Sequence, residues 1–123
     1  MLQVLVVEDD PGMRRLIGTT LGSSQVEVAY AADGEQALER AQAAPPDLVV
    51  LDINLPGMDG IEVCRQLKAH PATQAVPVVM VTAREDDAAR QGALAAGAAA
   101  YLLKPFSPRV LLDLVYSLTD TRP

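Results

Sequence analysis

The chain of 123 residues has a single cysteine and a single histidine. Cys64 has no partner for an internal disulfide. At helical spacing with Ile61 and Leu67, it reads as a small core residue rather than a redox switch. His70, beside Pro71 at a helix end, finds no cysteine or second histidine to complete a zinc site and reads as a surface residue. Cations are also scarce, with 10 Lys and Arg against 16 Asp and Glu and a formal net charge of -6. Phosphate backbones are bound by clustered Lys and Arg, so no direct nucleic-acid binding by this domain is expected. Half of the residues are hydrophobic, yet no apolar run reaches the roughly 18 that a membrane span needs. Met1-Leu2-Gln3-Val4 leads straight into a strand, so the expectation is a soluble, cytoplasmic domain with no membrane contact.

What the chain does have is a strict alternation of strand and helix signals. Leu48-Val49-Val50-Leu51, bounded by Pro45-Pro46 and Pro56-Gly57, is a short apolar run of the kind buried on both faces of a parallel sheet. It ends on Asp52. Further strands are expected at Leu2 to Val7, at Val26, Val28 and Tyr30 (half-buried, near an edge), at Val76 to Thr82 and at Ala99 to Leu103. Helices are expected from the Asp10-Pro11 cap to Gly22, from Asp33-Gly34 to about Ala43, from about Met58 to Ala69, from Glu85 to Ala96, and from Ser107-Pro108 onward. Five strands and five helices in alternation imply one α/β domain over residues 1–118, with a parallel sheet, helices on both faces and right-handed crossovers. Residues 119–123 read as a tail or the start of a linker.

Parallel strands bring their carboxyl ends to one edge, where open α/β sheets bind ligands. That edge should collect Glu8, Asp9, Asp52, Thr82 and Lys104. Carboxylate pairs at about 4 Å repel by on the order of 4 kcal/mol at an effective dielectric near 20. Lys104 can neutralise one charge, not three, so either an acid is protonated or a cation is present. All-oxygen ligands suit a hard ion such as Mg²⁺. Metal, lysine and hydroxyl are the parts that phosphoryl transfer uses. Each residue also has a plainer reading. Glu8 and Asp9 could be a solvated strand terminus, Asp10 a helix cap, Thr82 an ordinary strand residue, Lys104 an exposed lysine and Tyr101 simple packing. Asp47 lies at the opposite end of its strand, away from the site.

The motifs Leu5-Val6-Val7-Glu8-Asp9-Asp10-Pro11, Leu51-Asp52, Leu55-Pro56-Gly57-Met58-Asp59-Gly60, Val81-Thr82-Ala83 and Tyr101-Leu102-Leu103-Lys104-Pro105-Phe106 resemble the receiver domain of two-component response regulators, of the compact chemotaxis type. The resemblance spans nearly the whole chain. It implies a flavodoxin-like sheet of order 2-1-3-4-5, an order the doubly wound receivers exemplify. It implies Asp52 as phosphoacceptor from a histidine kinase or phosphotransfer protein. Asp9, Asp52 and the backbone carbonyl of Asn54 would bind Mg²⁺, with Glu8 acting mainly through a metal-bound water. Lys104 would pair with a phosphoryl oxygen, Thr82 would swing toward the phosphoryl group, and Tyr101 would turn into the space left. Asn54 and Arg84 fall at the two variable positions that tune phosphoryl lifetime in this family. The function implied is a signalling switch rather than an enzyme, acting on an effector or an attached output domain. An aspartyl-phosphate hydrolase of the dehalogenase type would want a second aspartate where Asn54 stands, and the third class is a binding module that never takes phosphate.

Two departures from the family pattern stand out. Ala99-Ala100 replace an acidic pair before the tyrosine, and Val110 and Leu114 replace residues that are commonly Glu and Arg. A charged dimer network over the fourth helix, fifth strand and fifth helix is therefore largely missing. Val110, Leu114 and Ser117, at i, i+4, i+7, suggest an apolar stripe and an apolar contact with a second copy or an effector. The small-residue run from Gly92 to Ala100 predicts a shallowly packed, mobile fourth helix.

Overall fold

A computed structural model describes residues 1–22 and 25–119. The strands are β1 (Leu2–Val7), β2 (Val26–Ala31), β3 (Leu48–Leu51), β4 (Val78–Thr82) and β5 (Ala100–Leu103). The helices are α1 (Pro11–Leu21), α2 (Gly34–Ala43), α3 (Gly60–Ala69), α4 (Asp87–Ala95) and α5 (Pro108–Thr119). The sheet is parallel with order β2-β1-β3-β4-β5. The parallel sheet is what the alternation predicts, and the order, with β3 at the centre, is the one that the receiver resemblance implies. Of the expected tail, Thr119 closes α5, its hydroxyl donating to the Val115 carbonyl at 2.7 Å. Residues 120–123 lie outside the described part.

β3, β4 and the second half of β1 are apolar on both sides because both sides are covered, whereas the edge strands β2 and β5 are partly exposed. Leu5, Val7, Val49, Leu51 and Met80 pack under α2, α3 and α4 against Ala37, Val63, Cys64, Leu67, Ala89 and Ala93. Val4, Val6, Leu48, Val50, Val79 and Val81 pack under α1 and α5 against Ile17, Leu21, Leu111 and Val115. Successive strand residues point to opposite faces, so each strand feeds both layers. Burying each of the four β3 side chains stabilises the fold by about 2 kcal/mol, and together they fix where the residue after Leu51 emerges.

Caps decide where several helices begin. Asp10 accepts from the Met13 N–H at 2.8 Å and Pro11 fills the first helical position, as expected. Asp33 does the same for Gln36 at 2.8 Å. The third helix starts two residues later than its apolar spacing suggests, at Gly60, because Asp59 turns outward to accept from the Ile61 N–H at 2.6 Å. The fourth starts at Asp87 rather than Glu85, since Asp86 caps it through the Ala89 N–H at 2.8 Å. An N-cap needs extended backbone, so the residues before it cannot be helical. Val76 is buried but precedes β4, with its N–H on the Thr73 carbonyl at 3.0 Å.

Some expected faces change. Tyr30 lies on the same face of β2 as Val26 and Val28 but at its rim, 38% exposed, with its hydroxyl over Gly18 of α1, where a Cβ would meet it at 1.9 Å. Cys64 is fully buried and its thiol points to the Ala96 carbonyl at 3.6 Å. His70 is half-buried at the end of α3, its Nδ1 accepting from the Ala72 N–H at 3.0 Å. On α5, Val110 and Ser117 are exposed, but Leu114 packs against the inner layer, which interrupts the expected stripe.

Candidate functional site

The site is assembled where the strands end. Glu8 follows β1 and is buried, its N–H bonded to the Ala31 carbonyl at 3.1 Å. Asp9 is exposed, while Asp52, directly after β3, is buried with its N–H on the Val7 carbonyl at 3.1 Å. Glu8, Asp9 and Asp52 each present a carboxylate oxygen, and the three oxygens lie within 4.8 Å of one another. Asp47, by contrast, accepts from the Gln3 N–H at 2.7 Å at the opposite end of the strands.

Lys104 supplies the counter-charge. Its ammonium donates to Glu8 Oε1 at 2.6 Å and to Asp52 Oδ2 at 3.1 Å, and its own N–H fixes the backbone on the Thr82 carbonyl at 2.8 Å. The following Lys104–Pro105 peptide is cis. The other Asp52 oxygen, Oδ1, accepts from the Asn54 N–H at 3.1 Å, so the Asp52 carboxylate is held at both ends. Asn54 itself is exposed.

Burial raises the Glu8 pKa, and the Asp52 charge adds to this; hydrogen bonds from Lys104 and from the Asp10 N–H oppose it without cancelling it. Burial works against the charge on Lys104, but its bonds to Glu8 and Asp52 outweigh burial and hold its pKa above the ordinary lysine value. The pattern is that of two buried acids sharing one cation. A further cation fits here by donor chemistry: three clustered carboxylates, no histidine or thiolate among them, form the hard-oxygen set that Mg²⁺ prefers. Glu8, Asp9 and Asp52 are the side chains that would hold it.

Thr82, fully buried at the end of β4, accepts the Arg84 N–H on Oγ1 at 3.3 Å. Tyr101 on β5 is half-buried against the α2–α3–α4 layer and its hydroxyl donates to the Arg84 carbonyl at 2.7 Å. The Arg90 guanidinium stands 6.0 Å from the centre of the Tyr101 ring. Burial, then the Asp86 charge, raises the Tyr101 pKa.

Three contacts escape a reading of the sequence. Arg14 reaches back from α1 to donate to the Glu8 carbonyl at 3.2 Å, fixing the peptide that joins Glu8 to Asp9. Gly60 is close enough to the site loop that a Cβ would meet the Asp52 carbonyl oxygen at 2.1 Å, and its N–H donates to the Ile53 carbonyl at 2.8 Å. Arg90 reaches Tyr101 only through the packing of α4 beside β5. The Gly60 position was signalled by the Gly-rich turn, but no local pattern marks either arginine.

The family model of the response regulator receiver domain matches residues 4–116. Among curated proteins, the chain is 42% identical over 107 residues to the alkaline phosphatase synthesis transcriptional regulatory protein PhoP of Bacillus subtilis, covering 87% of this chain and 44% of that one. The chain spans less than half the length of the first curated relatives it matches. Among solved structures, the chemotaxis protein CheY4 of Vibrio cholerae superposes with a TM-score of 0.89 at 34% identity, over 96% of this chain and 98% of that one. The receiver domain of the sensor histidine kinase PA1611 of Pseudomonas aeruginosa, solved with a magnesium ion in its active site cleft, gives a TM-score of 0.89 at 31% identity, over 98% of both chains.

Proposed function

Because the chain belongs to the response regulator receiver domain family, we propose that it is a phosphorylation-dependent switch in which Asp52 accepts the phosphoryl group. The observation that carries this reading is the grouping of the Glu8, Asp9 and Asp52 oxygens within 4.8 Å, bridged by Lys104 from Glu8 to Asp52. One Asp52 oxygen attacks the phosphorus of a phosphohistidine on a histidine kinase or phosphotransfer protein. A P–O bond forms as the P–N bond breaks, and the imidazole leaves with the bonding pair and picks up a proton. Lys104 shifts from the two carboxylates to the incoming phosphoryl oxygens, an exchange its three donors allow. Mg²⁺, when bound, supplies charge neutralisation for the acids and the transferring group.

Downstream, Thr82 leaves the Arg84 N–H for the phosphoryl group, and Tyr101 follows. The surface of α4, β5 and α5 changes as a result. That surface addresses a separate effector or an attached output domain, and a second copy can meet it through an apolar contact centred on Val110. The domain acts as a cytoplasmic switch rather than as an enzyme on a separate substrate; among the described residues no helix is long and apolar enough to cross a membrane.

Acetyl phosphate with Mg²⁺ tests the reading. Intact mass should gain one phosphoryl group in the native chain and none in Asp52→Asn. A native chain that gains nothing overturns the proposal.

A further inference from the structure

We propose that Asp86 is a positioning residue for the chemistry at Asp52: it holds the Arg84 guanidinium on the first turn of α4 and so controls when that cation reaches the phosphoryl site. The proposal rests on the reading of Asp52 as phosphoacceptor.

The Asp86 carboxylate divides its oxygens between two tasks. Oδ1 accepts from the Ala89 N–H at 2.8 Å and caps α4, while Oδ2 pairs with Arg84 Nη2 at 3.2 Å. Capping already fixes the Asp86 rotamer, so the ion pair orders only the arginine, which lowers the entropic cost that makes most exposed pairs worth little. The cap and the arginine both hold the Asp86 pKa below the usual aspartate value. The acid is therefore charged throughout the neutral range.

Arg84 is the residue through which three parts of the domain meet. Its N–H lies on Thr82 Oγ1 at 3.3 Å, its carbonyl takes the Tyr101 hydroxyl at 2.7 Å, and its guanidinium is on Asp86. Thr82 ends β4 and Asp52 directly follows the adjacent β3, at the same edge of the sheet. Arg84 therefore sits beside the place where a phosphoryl group arrives. A guanidinium matches phosphate in a bidentate fork, and a phosphoryl dianion carries more charge than one carboxylate. Asp86 is the competitor that keeps this cation on α4 until the phosphoryl group is present. The same competition links charge at Asp52 to the start of α4, since Arg84 cannot leave without giving up its bond to the residue that caps the helix.

Asn caps a helix as well as Asp does but carries no charge, so Asp86→Asn removes the pair and keeps the cap. Phosphorylation by acetyl phosphate in Mg²⁺ is followed by intact mass in the native chain, D86N, R84A and the double variant. With Arg84 released toward an anionic donor, D86N should be phosphorylated about threefold faster, a factor within the range of an exposed ion pair. That gain should be present in about 0.01 M salt and lost in about 1 M salt, where charges are screened beyond about 3 Å. It should also be absent when D86N is added to R84A. Asp86→Ser, a second uncharged cap, should reproduce the D86N rate, with amide-exchange protection of α4 unchanged in both. Equal rates in D86N and the native chain, or the same gain with and without Arg84, overturn the positioning role alone. A native chain that takes no phosphoryl group overturns the reading of Asp52, and this proposal with it.

Discussion

Lys104 Nζ lies 2.6 Å from Glu8 Oε1, a contact between side chains 96 residues apart in sequence that ties the end of β5 to the end of β1. The lysine is largely buried, and Glu8 and Asp52 are buried more deeply still. Replacing Lys104 by Met leaves two acids facing each other out of water. Removing one partner of a buried ion pair costs on the order of 3 kcal/mol. Urea denaturation at neutral pH without Mg²⁺ should show that loss, and saturating Mg²⁺ should recover much of it. A Lys104→Met chain as stable as the native one without metal would mean that Glu8 and Asp52 do not bear charge together.

The pH dependence follows from the two shifted groups. Lys104 has its folded pKa raised above 10.5, so its stabilisation is fully present below that value and is lost as pH rises through the folded value. Glu8 is raised above 4.5, so the native state binds its proton more tightly than the unfolded chain does. Its contribution is present below about pH 4.5 and is lost as pH climbs through the raised value. Without metal, stability should therefore fall as pH rises from about 4.5 through the raised Glu8 value, and Glu8→Gln should flatten the fall. Added Mg²⁺ should oppose it by mass action, by about 1.4 kcal/mol at ten times its dissociation constant. Thermal melts across pH, with and without Mg²⁺, read both effects.

Gly57 lies in the turn before α3 and Gly60 opens that helix, and their substitution should differ in kind. A Cβ on Gly60 would strike the Asp52 carbonyl oxygen and lie 2.7 Å from the Ile53 Cα, both backbone atoms that cannot swing aside. Gly60→Ala should destabilise by about 1–3 kcal/mol as an overpacked site and slow phosphorylation by displacing Asp52. Gly57 has open space around it and a φ of 76°. Gly57→Ala should cost only the left-handed backbone penalty of about 1–2 kcal/mol and leave the phosphorylation rate near native. Equal rates in the two variants would separate the turn from the site.

Period and caps made the architecture legible, because a strand buried on both faces and a helix with one apolar stripe leave different repeats. Glu8, Asp9, Asp52, Thr82 and Lys104 could be grouped because parallel strands end together, a rule that needs only their order. Less visible was anything decided across elements. Leu114 turns inward although its spacing allowed the surface, and the Tyr30 hydroxyl reaches across to lie on Gly18 of α1. The acidic run Glu85-Asp86-Asp87 hid which residue is the cap, since all three can accept a backbone bond. Arg14 and Arg90 act through long side chains whose reach no local spacing reveals.

Self-association through α5 should depend on Val110 more than on Leu114. Val110 is 45% exposed in the first turn of α5. Leu114 already packs inward, so changing it to Arg would also disturb the core. Val110→Asp should leave the melting temperature within a degree or so, as surface changes do, while weakening any dimer that forms after phosphorylation. Sedimentation of the phosphorylated native and variant chains compares them. Unchanged association in Val110→Asp would exclude this patch as the contact.

Cys64 offers a reporter for α4. The thiol is buried on α3 and faces the Ala96 carbonyl just past the end of α4. Burial pushes its pKa up, so little thiolate forms near neutral pH while α4 stays packed on α3. α4 buries only Ala89 and Ala93 among its residues, and Gly92 faces Ile61 of α3 with no side chain of its own. So little apolar surface predicts that α4 separates from α3 well below the free energy of global unfolding. A thiol-specific disulfide reagent should then label Cys64 faster than global unfolding allows, and amides of α4 should exchange faster than those of β3. Labelling that tracks urea stability one for one, with α4 amides as protected as Val49 and Val50, would show that α4 opens only with the whole domain.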